Sequence, residues 1–355
     1  MKLDLSDAKQ HLERVNAFDG QILFGAGVFN RETKRSGLGR PSSGFLTPEQ
    51  SRVVEDTGLE RYRRKDAMWE EVAACPVCGG KDQESFLERM GVRCVRCPAC
   101  SHVYANPVVK QAEAIKLYGD DRTAYDIYTQ PMQKETDWKK YQYGVDMIDT
   151  FDPPGRDKIL DVGCGAGLFL QVAFASGWRT CVGVDANSAY DSVYREAAGI
   201  QYINGTFEAT DPDAIGDNYD VVSMWNVLEH IYDPLRFLKS VGAVMKPGGL
   251  LFLMVPNVKS LATRLIRTMS PRYNWKHLHY FSPASLRRLV ELAAFTFLHQ
   301  ETVITEIDHI KSYMSGEYPH HGFGDPEGLF ASITPAFIHA NLLGSRLVLI
   351  GRKPS

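Results

Sequence analysis

Ile159-Leu160-Asp161-Val162-Gly163-Cys164-Gly165-Ala166-Gly167-Leu168-Phe169-Leu170 decides the fold of this 355-residue chain. An apolar run ends in an acid, enters a turn with glycine at every second place, and leaves as an apolar helix. Glycine at 163, 165 and 167 lets the backbone bend sharply and lets a ligand lie directly against peptide N–H groups. Eighteen residues after Gly167, the run Val182-Gly183-Val184 ends in Asp185, a carboxylate placed to accept hydrogen bonds from ribose hydroxyls. The Gly-x-Gly-x-Gly spacing departs from the Gly-x-Gly-x-x-Gly of nicotinamide-binding turns. Asp161, just before it, would repel a pyrophosphate and welcome a cationic ligand.

Beyond this turn, the runs Lys158–Val162, Thr180–Val184, Tyr219–Trp225 and Leu250–Val255 read as buried strands. Leu168–Ser176, Ser188–Ala198 and Pro234–Met245 read as the helices between them. Alternating strands and helices predict a parallel sheet covered on both faces. A further helix is expected at Pro283–Ala294 behind an N-capping Ser282, and two last strands at Phe297–Thr305 and Arg346–Gly351.

The first half reads differently. Five of the seven cysteines fall between positions 75 and 100, and Cys75-Pro-Val-Cys78 and Cys97-Pro-Ala-Cys100 are separated by eighteen residues. Two such knuckles place four thiolates tetrahedrally, which suits a structural zinc with no open position for water. Cys94 also precedes Cys97 in Cys-x-x-Cys phase, so a ligand swap is an alternative, as are reduced core cysteines or a redox pair. The expected organisation is a helical extension over residues 1–70, a zinc ribbon over 71–108, a Tyr-rich helical linker or lid over 109–151, and a sheet domain over 152–355 carrying an insert at 306–344. A net charge of −3 supplies no general field for a polyanion, so nucleic acid is a disfavoured partner. No apolar stretch is long enough to cross a bilayer. An acidic N-terminus and clustered cysteines lead us to expect a reducing cytoplasm.

Motif by motif, over about residues 152–300, the chain resembles the class I S-adenosylmethionine-dependent methyltransferases. Asp161-Val-Gly-Cys-Gly-Ala-Gly167 is similar to the family's first motif and Asp185 to its ribose-binding acid. Asn204-Gly-Thr206-Phe207-Glu208 resembles the stretch beside adenine, Tyr219 to Pro234 the fourth strand and its loop, and Lys246-Pro-Gly-Gly-Leu the turn into the fifth. His277-Leu-His279-Tyr280-Phe281 resembles the acceptor-side loop. The knuckles with His102-Val-Tyr-Ala-Asn106-Pro107 are similar to the N-terminal ribbon of a subset that includes sugar and natural-product methyltransferases.

The resemblance implies an α/β, Rossmann-like class I methyltransferase fold with a mostly parallel seven-stranded sheet. It implies S-adenosylmethionine, whose sulfonium and ammonium suit the acidic turn, held by Asp161, Gly163, Gly165, Gly167, Asp185, Ala186, Thr206, Phe207 and Asn226. Leu228-Glu229-His230 is similar to ubiquinone-pathway O-methyltransferases, some of which hold a divalent metal there with two glutamates and the histidine. Asn226 stands in place of the first glutamate, which speaks against a catalytic metal and against the ubiquinone role.

Methyl transfer is an in-line displacement that needs alignment, exclusion of water and, at oxygen or carbon, removal of a proton. His230 and His279 are the candidate bases, each weighed against a purely structural role, and Cys164 and Cys181 read as packing. The expected substrate is a small molecule such as a sugar, glycan or natural-product intermediate. An RNA methyltransferase using the ribbon and the Arg61–Lys65 cluster, and an inactive methyltransferase-like binding module, are the alternatives. We expect His230 and the 277–280 loop to face the methyl, Tyr118 or Tyr125 to close over it, and the 306–344 insert to complete the acceptor pocket.

Overall fold

The computed structural model describes residues 68–89, 91–118, 129, 131–194, 199–270, 272–307, 310 and 333–355. Residues 1–67 of the expected 1–70 extension, Tyr125, the end of the helix begun at Ser188 and most of the 306–344 insert lie outside the described residues.

The ribbon is built from short strands. β1 (Trp69–Glu70) pairs antiparallel with β5 (Val108–Val109), while β2 (Glu84–Arg89), β3 (Val92–Arg96) and β4 (Val103–Ala105) form an antiparallel meander. The two knuckles repeat one hydrogen-bond pattern. Cys75 and Cys97 donate to the carbonyls of Gly80 and His102, and Gly79 and Ser101 donate back to the carbonyls of Cys75 and Cys97. Gly79 and Ser101 both hold positive φ, 74° and 60°, the left-handed kink that returns each chain to its own start.

Helices α1 (Gln111–Tyr118) and α2 (Pro131–Thr150) lead into the sheet. The sheet comprises β6 (Lys158–Val162), β7 (Thr180–Asp185), β8 (Ile200–Asn204), β9 (Tyr219–Trp225), β10 (Met245–Pro256), β12 (Thr296–Val303) and β13 (Arg346–Arg352). β11 (His279–Tyr280) belongs elsewhere. The strand order is β12-β13-β10-β9-β6-β7-β8, with β13 the one strand antiparallel to the rest, so the expected mostly parallel seven-stranded sheet is present. All seven residues of β9 are buried, as a central strand covered on both faces requires. Asp220 survives there because its carboxylate accepts from the backbone N–H groups of Asp157 and Lys158 and pairs with Lys246 at 2.6 Å.

Around the sheet run α3 (Leu168–Ala175), α4 (Asp191–Tyr194), α5 (Pro212–Ile215), α6 (Pro234–Val244), α7 (Leu261–Ile266), α8 (Pro283–Leu292) and α9 (Pro335–Ala340). Local chemistry sets the starts of α6 and α8. Asp233 caps α6 ahead of Pro234, and Ser282 forms a capping box with Ser285 ahead of α8.

Side-chain alternation splits the core. Leu160, Val162, Val222, Met224, Leu251 and Leu349 face α6 and α8, whereas Ile159, Val221, Phe252 and Ile350 face α2 and α3. The first cluster also contains Cys75, Val77, Val95, Cys97 and Tyr104, so the ribbon packs into the same core as the sheet. β11 makes the join covalent in sequence. His279 pairs with Tyr104 and Tyr280 with Val103, adding a fourth strand to the ribbon's sheet from the far side of the chain.

Candidate functional site

The carboxyl ends of β6, β7 and β9 open into a cavity of about 410 Å³. Open parallel sheets place ligands at this edge. Asp161, Gly163, Gly165, Asp185, Ala186, Thr206, Phe207, Asn226 and His230 all line it, so most of the expected residues converge. Gly167 lies just behind the wall.

The turn is shaped by close approach. A Cβ on Gly163 would sit 2.3 Å from Val227 Cγ2, and one on Gly167 would sit 2.5 Å from the Tyr194 hydroxyl. Both residues have positive φ, at 71° and 73°. Gly165 differs, because a Cβ there would meet nothing nearer than the Tyr190 hydroxyl at 4.0 Å. Its bare face is open space that a ligand can occupy. The Gly165 N–H donates to Asp185 Oδ2 at 2.8 Å, and the Asn187 N–H donates to Asp185 Oδ1 at 2.8 Å. Asp185 therefore braces the turn and still offers lone pairs, since a carboxylate accepts about four hydrogen bonds. Burial raises its pKa, and these two backbone bonds pull it back.

Asp161 is buried, accepts from Ser223 Oγ at 2.7 Å, and is pushed by burial up to about 8. Such a carboxyl is satisfied by an incoming cation. Asn226 presents a buried Oδ1 with no hydrogen-bond partner, on a backbone held at φ 57°. An open glycine face, an acid awaiting a cation and an orphaned amide oxygen fit a nucleoside that carries positive charge.

The two candidate histidines part company. His230 lines the cavity, and its Nδ1 donates to the Lys276 carbonyl at 2.7 Å. Burial lowers its pKa to about 4, so it is neutral near pH 7. His279 is not among the residues lining the cavity. Its Nε2 donates to the Ile231 carbonyl at 2.7 Å, and its Nδ1 lies 3.2 Å from His102 Nε2. That geometry makes it a strut between ribbon and site loop. His277 also stands behind the wall, its ring 5.0 Å from that of His230.

Cys164 accepts from the Tyr194 hydroxyl, and burial raises its thiol well above the ordinary value, as packing demands. The side chain of Tyr118 lies outside the description. Tyr141, from the same Tyr-rich segment, does line the cavity, alongside Lys140 and Asp137 of α2. Tyr141 belongs to the Tyr-rich segment whose charge suggests a surface or cleft, whereas Asp137, Lys140, Trp225 and Lys276 were not singled out from the sequence. A long polar helix gives no periodic hint of which face covers a ligand. Tyr141 meets Trp225 edge-on at 4.8 Å, and Gly144 allows α2 to approach, since a Cβ there would sit 2.4 Å from the Trp225 ring.

In the ribbon, Cys75 Sγ lies 3.6 Å from Cys100 Sγ and Cys78 Sγ lies 3.6 Å from Cys97 Sγ. All four sulfurs fall within 4.8 Å of one another. Tetrahedral zinc with Zn–S of about 2.3 Å sets sulfurs roughly 3.8 Å apart, so the set fits. Cys94 is not in it. Its thiol is buried against Tyr280 and pushed up to about 12.

Residues 138–300 match the family described as a methyltransferase domain. Over 165 residues the chain is 27% identical to a ubiquinone biosynthesis O-methyltransferase of Coxiella burnetii, an alignment spanning 42% of this chain and 70% of that one. It is 31% identical over 152 residues to the protein of the same name from Vibrio parahaemolyticus, across 39% of this chain and 63% of that one. Among solved structures it is similar to a S-adenosylmethionine dependent methyltransferase from Mesorhizobium loti. That pair shows 17% identity and a TM-score of 0.41, over 60% of this chain and 98% of that one.

Proposed function

The chain carries a class I S-adenosylmethionine-dependent methyltransferase domain, and from that premise we propose that it methylates a small organic acceptor at oxygen or carbon. The observation that carries this reading is the cavity itself. A strand-end acid, an open glycine turn and a neutral histidine line one cavity, together with Asp137, Lys140 and Tyr141 of α2.

S-adenosylmethionine supplies the activated methyl, on a carbon bound to positive sulfur. Asp185 accepts from its ribose hydroxyls, Ala186, Thr206 and Phe207 flank its base, and Asp161 and Asn226 face its charged end. His230 stands at the cavity wall to receive the acceptor's proton, its Nδ1–H held on the Lys276 carbonyl so that the Nε2 lone pair accepts it and the ring becomes an imidazolium. Tyr141 and Trp225 exclude water from the space above. The similarity to ubiquinone biosynthesis O-methyltransferases favours oxygen as the attacked atom. His279 serves as a positioning residue, tying Ile231 of the site loop to His102 of the ribbon. The four cysteines hold one structural zinc.

Incubating the protein and isotopically labelled S-adenosylmethionine with metabolite extracts tests the proposal. A labelled small product heavier by one CH₂ is the expected result. Label appearing only in RNA, or cofactor binding with no product from any extract, would overturn it.

A further inference from the structure

The lining of the cavity is divided by charge. Asp161, Asp185 and Glu208 come from two strand ends and the turn after β8, on the side that we assign to the cofactor. On α2, Lys140 and Asp137 pair at 2.7 Å and offset one another. A further wall is made by His230, Ile231 and Tyr232 after β9 and by Lys276 before β11. Among the described lining residues, that wall brings a cation and no carboxylate.

Lys276 is held in this wall by its own main chain. Its N–H donates to Asn274 Oδ1 at 2.9 Å, and its carbonyl accepts the Nδ1–H of His230 at 2.7 Å. The backbone that carries the ammonium is thus bonded directly to the ring assigned as base. Burial first, and then the Lys276 charge, press His230 down to about 4 against the pull of that backbone bond. Behind the wall, His277 is held well below the ordinary imidazole range by burial, then by His230, Arg346 and Arg272. Glu229 does not offset this positive field, because burial pushes its carboxyl up to about 8 and leaves it largely neutral at pH 7.

Such a wall works against proton removal unless the acceptor compensates. When His230 Nε2 takes the acceptor's proton, the ring becomes an imidazolium beside an ammonium, and like charges repel strongly where water is excluded. A neutral acceptor leaves both cations in place and strips water from Lys276 as it enters. An anion seated on Lys276 replaces that water, and its charge favours the imidazolium.

We propose that Lys276 selects the acceptor, and that the substrate carries a carboxylate or phosphate close to the atom that is methylated. This rests on the methyltransferase reading above and goes beyond it in assigning the charge of the substrate. Neutral molecules of the same shape are rejected because they bring no partner for the ammonium.

A small-molecule extract, freed of macromolecules by ultrafiltration and split on an anion-exchange resin at pH 7, tests this with the full chain and isotopically labelled S-adenosylmethionine. We expect labelled product from the retained, anionic fraction and little from the flow-through. Treating the retained fraction with phosphatase beforehand separates the two sources of charge, since loss of product identifies a phosphate and persistence a carboxylate. Lys276→Gln keeps the carbonyl that orients His230, and should raise KM for the retained acceptor about 10- to 100-fold. Lys276→Arg should recover most of that loss. Cofactor affinity by calorimetry should stay unmoved in both variants, which checks their folding. Product formed from the flow-through alone, or as fast from it, overturns the anionic acceptor whatever the variants do and leaves the methyltransferase reading standing. A folded Lys276→Gln with unchanged KM overturns the role of Lys276. Absence of product from both fractions overturns the proposal and that reading together.

Discussion

The Asp185 oxygens that we propose for a ribose also hold the N–H groups of Gly165 and Asn187. Asp185→Ala should therefore weaken S-adenosylmethionine binding by about 1.5–3 kcal/mol, combining a lost charge-assisted acceptor with a loosened turn. Unchanged affinity by calorimetry would remove Asp185 from the cofactor site. Asp161 adds a pH dependence whose sign follows from its burial. With its pKa raised to about 8, the unliganded carboxyl is largely protonated at pH 7 and must ionise to meet a cation. Binding should then release a proton at pH 7 and tighten by up to about tenfold per pH unit until roughly pH 8. Calorimetry in buffers of different ionisation heat counts that proton, and Asp161→Asn should abolish the part that does not come from the ligand's own amine. Equal proton release by both proteins would refute the assignment. The acids and glycines of this site were legible because strand-end carboxylates and alternating glycines carry their meaning in the chain. The two histidines were not separable there. His230 and His279 sit in similar sequence settings, and only the pairing of β11 with β4 turns one of them away from the cavity.

The strands illustrate what makes an element readable. β6 and β9 coincide with their apolar runs, since a strand buried on both faces is hydrophobic throughout. β8, with its half-exposed Ile200–Asn204, has no such run and was passed over as a strand. β11 is two residues long and takes its identity from a partner 175 positions earlier, which no local pattern can announce. That short strand changes what a zinc in the ribbon should be worth. The ribbon looked separable in sequence, but its cysteines and Tyr104 share a core with Leu251, Phe281 and Leu286. Cys97→Ser should cost the chain its ribbon zinc and also lower the melting temperature of the sheet domain, because metal binding is folding energy for the surface the sheet packs against. Elemental analysis alongside calorimetric melting checks this. A variant that loses that zinc and melts with the sheet transition unmoved would show the ribbon to be independent after all.

The described residues form a sheet whose cavity-bearing edge is roofed by α2, with the ribbon packed into the same core. The roof depends on one close approach, at Gly144 over Trp225. Gly144→Val should wedge the helix away, at about 1–3 kcal/mol of overpacking, and raise KM for the acceptor more than it lowers melting temperature would suggest. A KM that stays put would mean that α2 does not close the acceptor side. The parallel sheet was anticipated at this scale from alternation of strands and helices, and residues 109–151 were expected as a helical linker or lid, but which face of that helix lines the cavity was not legible, since a polar helix reads alike whether it faces solvent or a ligand. The position of β13 carries a consequence for how the protein is made. β13 is interior, flanked by β10 and β12, yet it is the last strand in the chain. During synthesis β12 emerges with no neighbour to pair with, and waits for residues 346–352. At about 5–20 residues per second the delay is roughly 2–10 s. Throughout it, β10 presents an open edge to any other nascent chain on the same message. Translation speed over those intervening codons should therefore set how much of the protein escapes aggregation, independently of how stable the finished fold is.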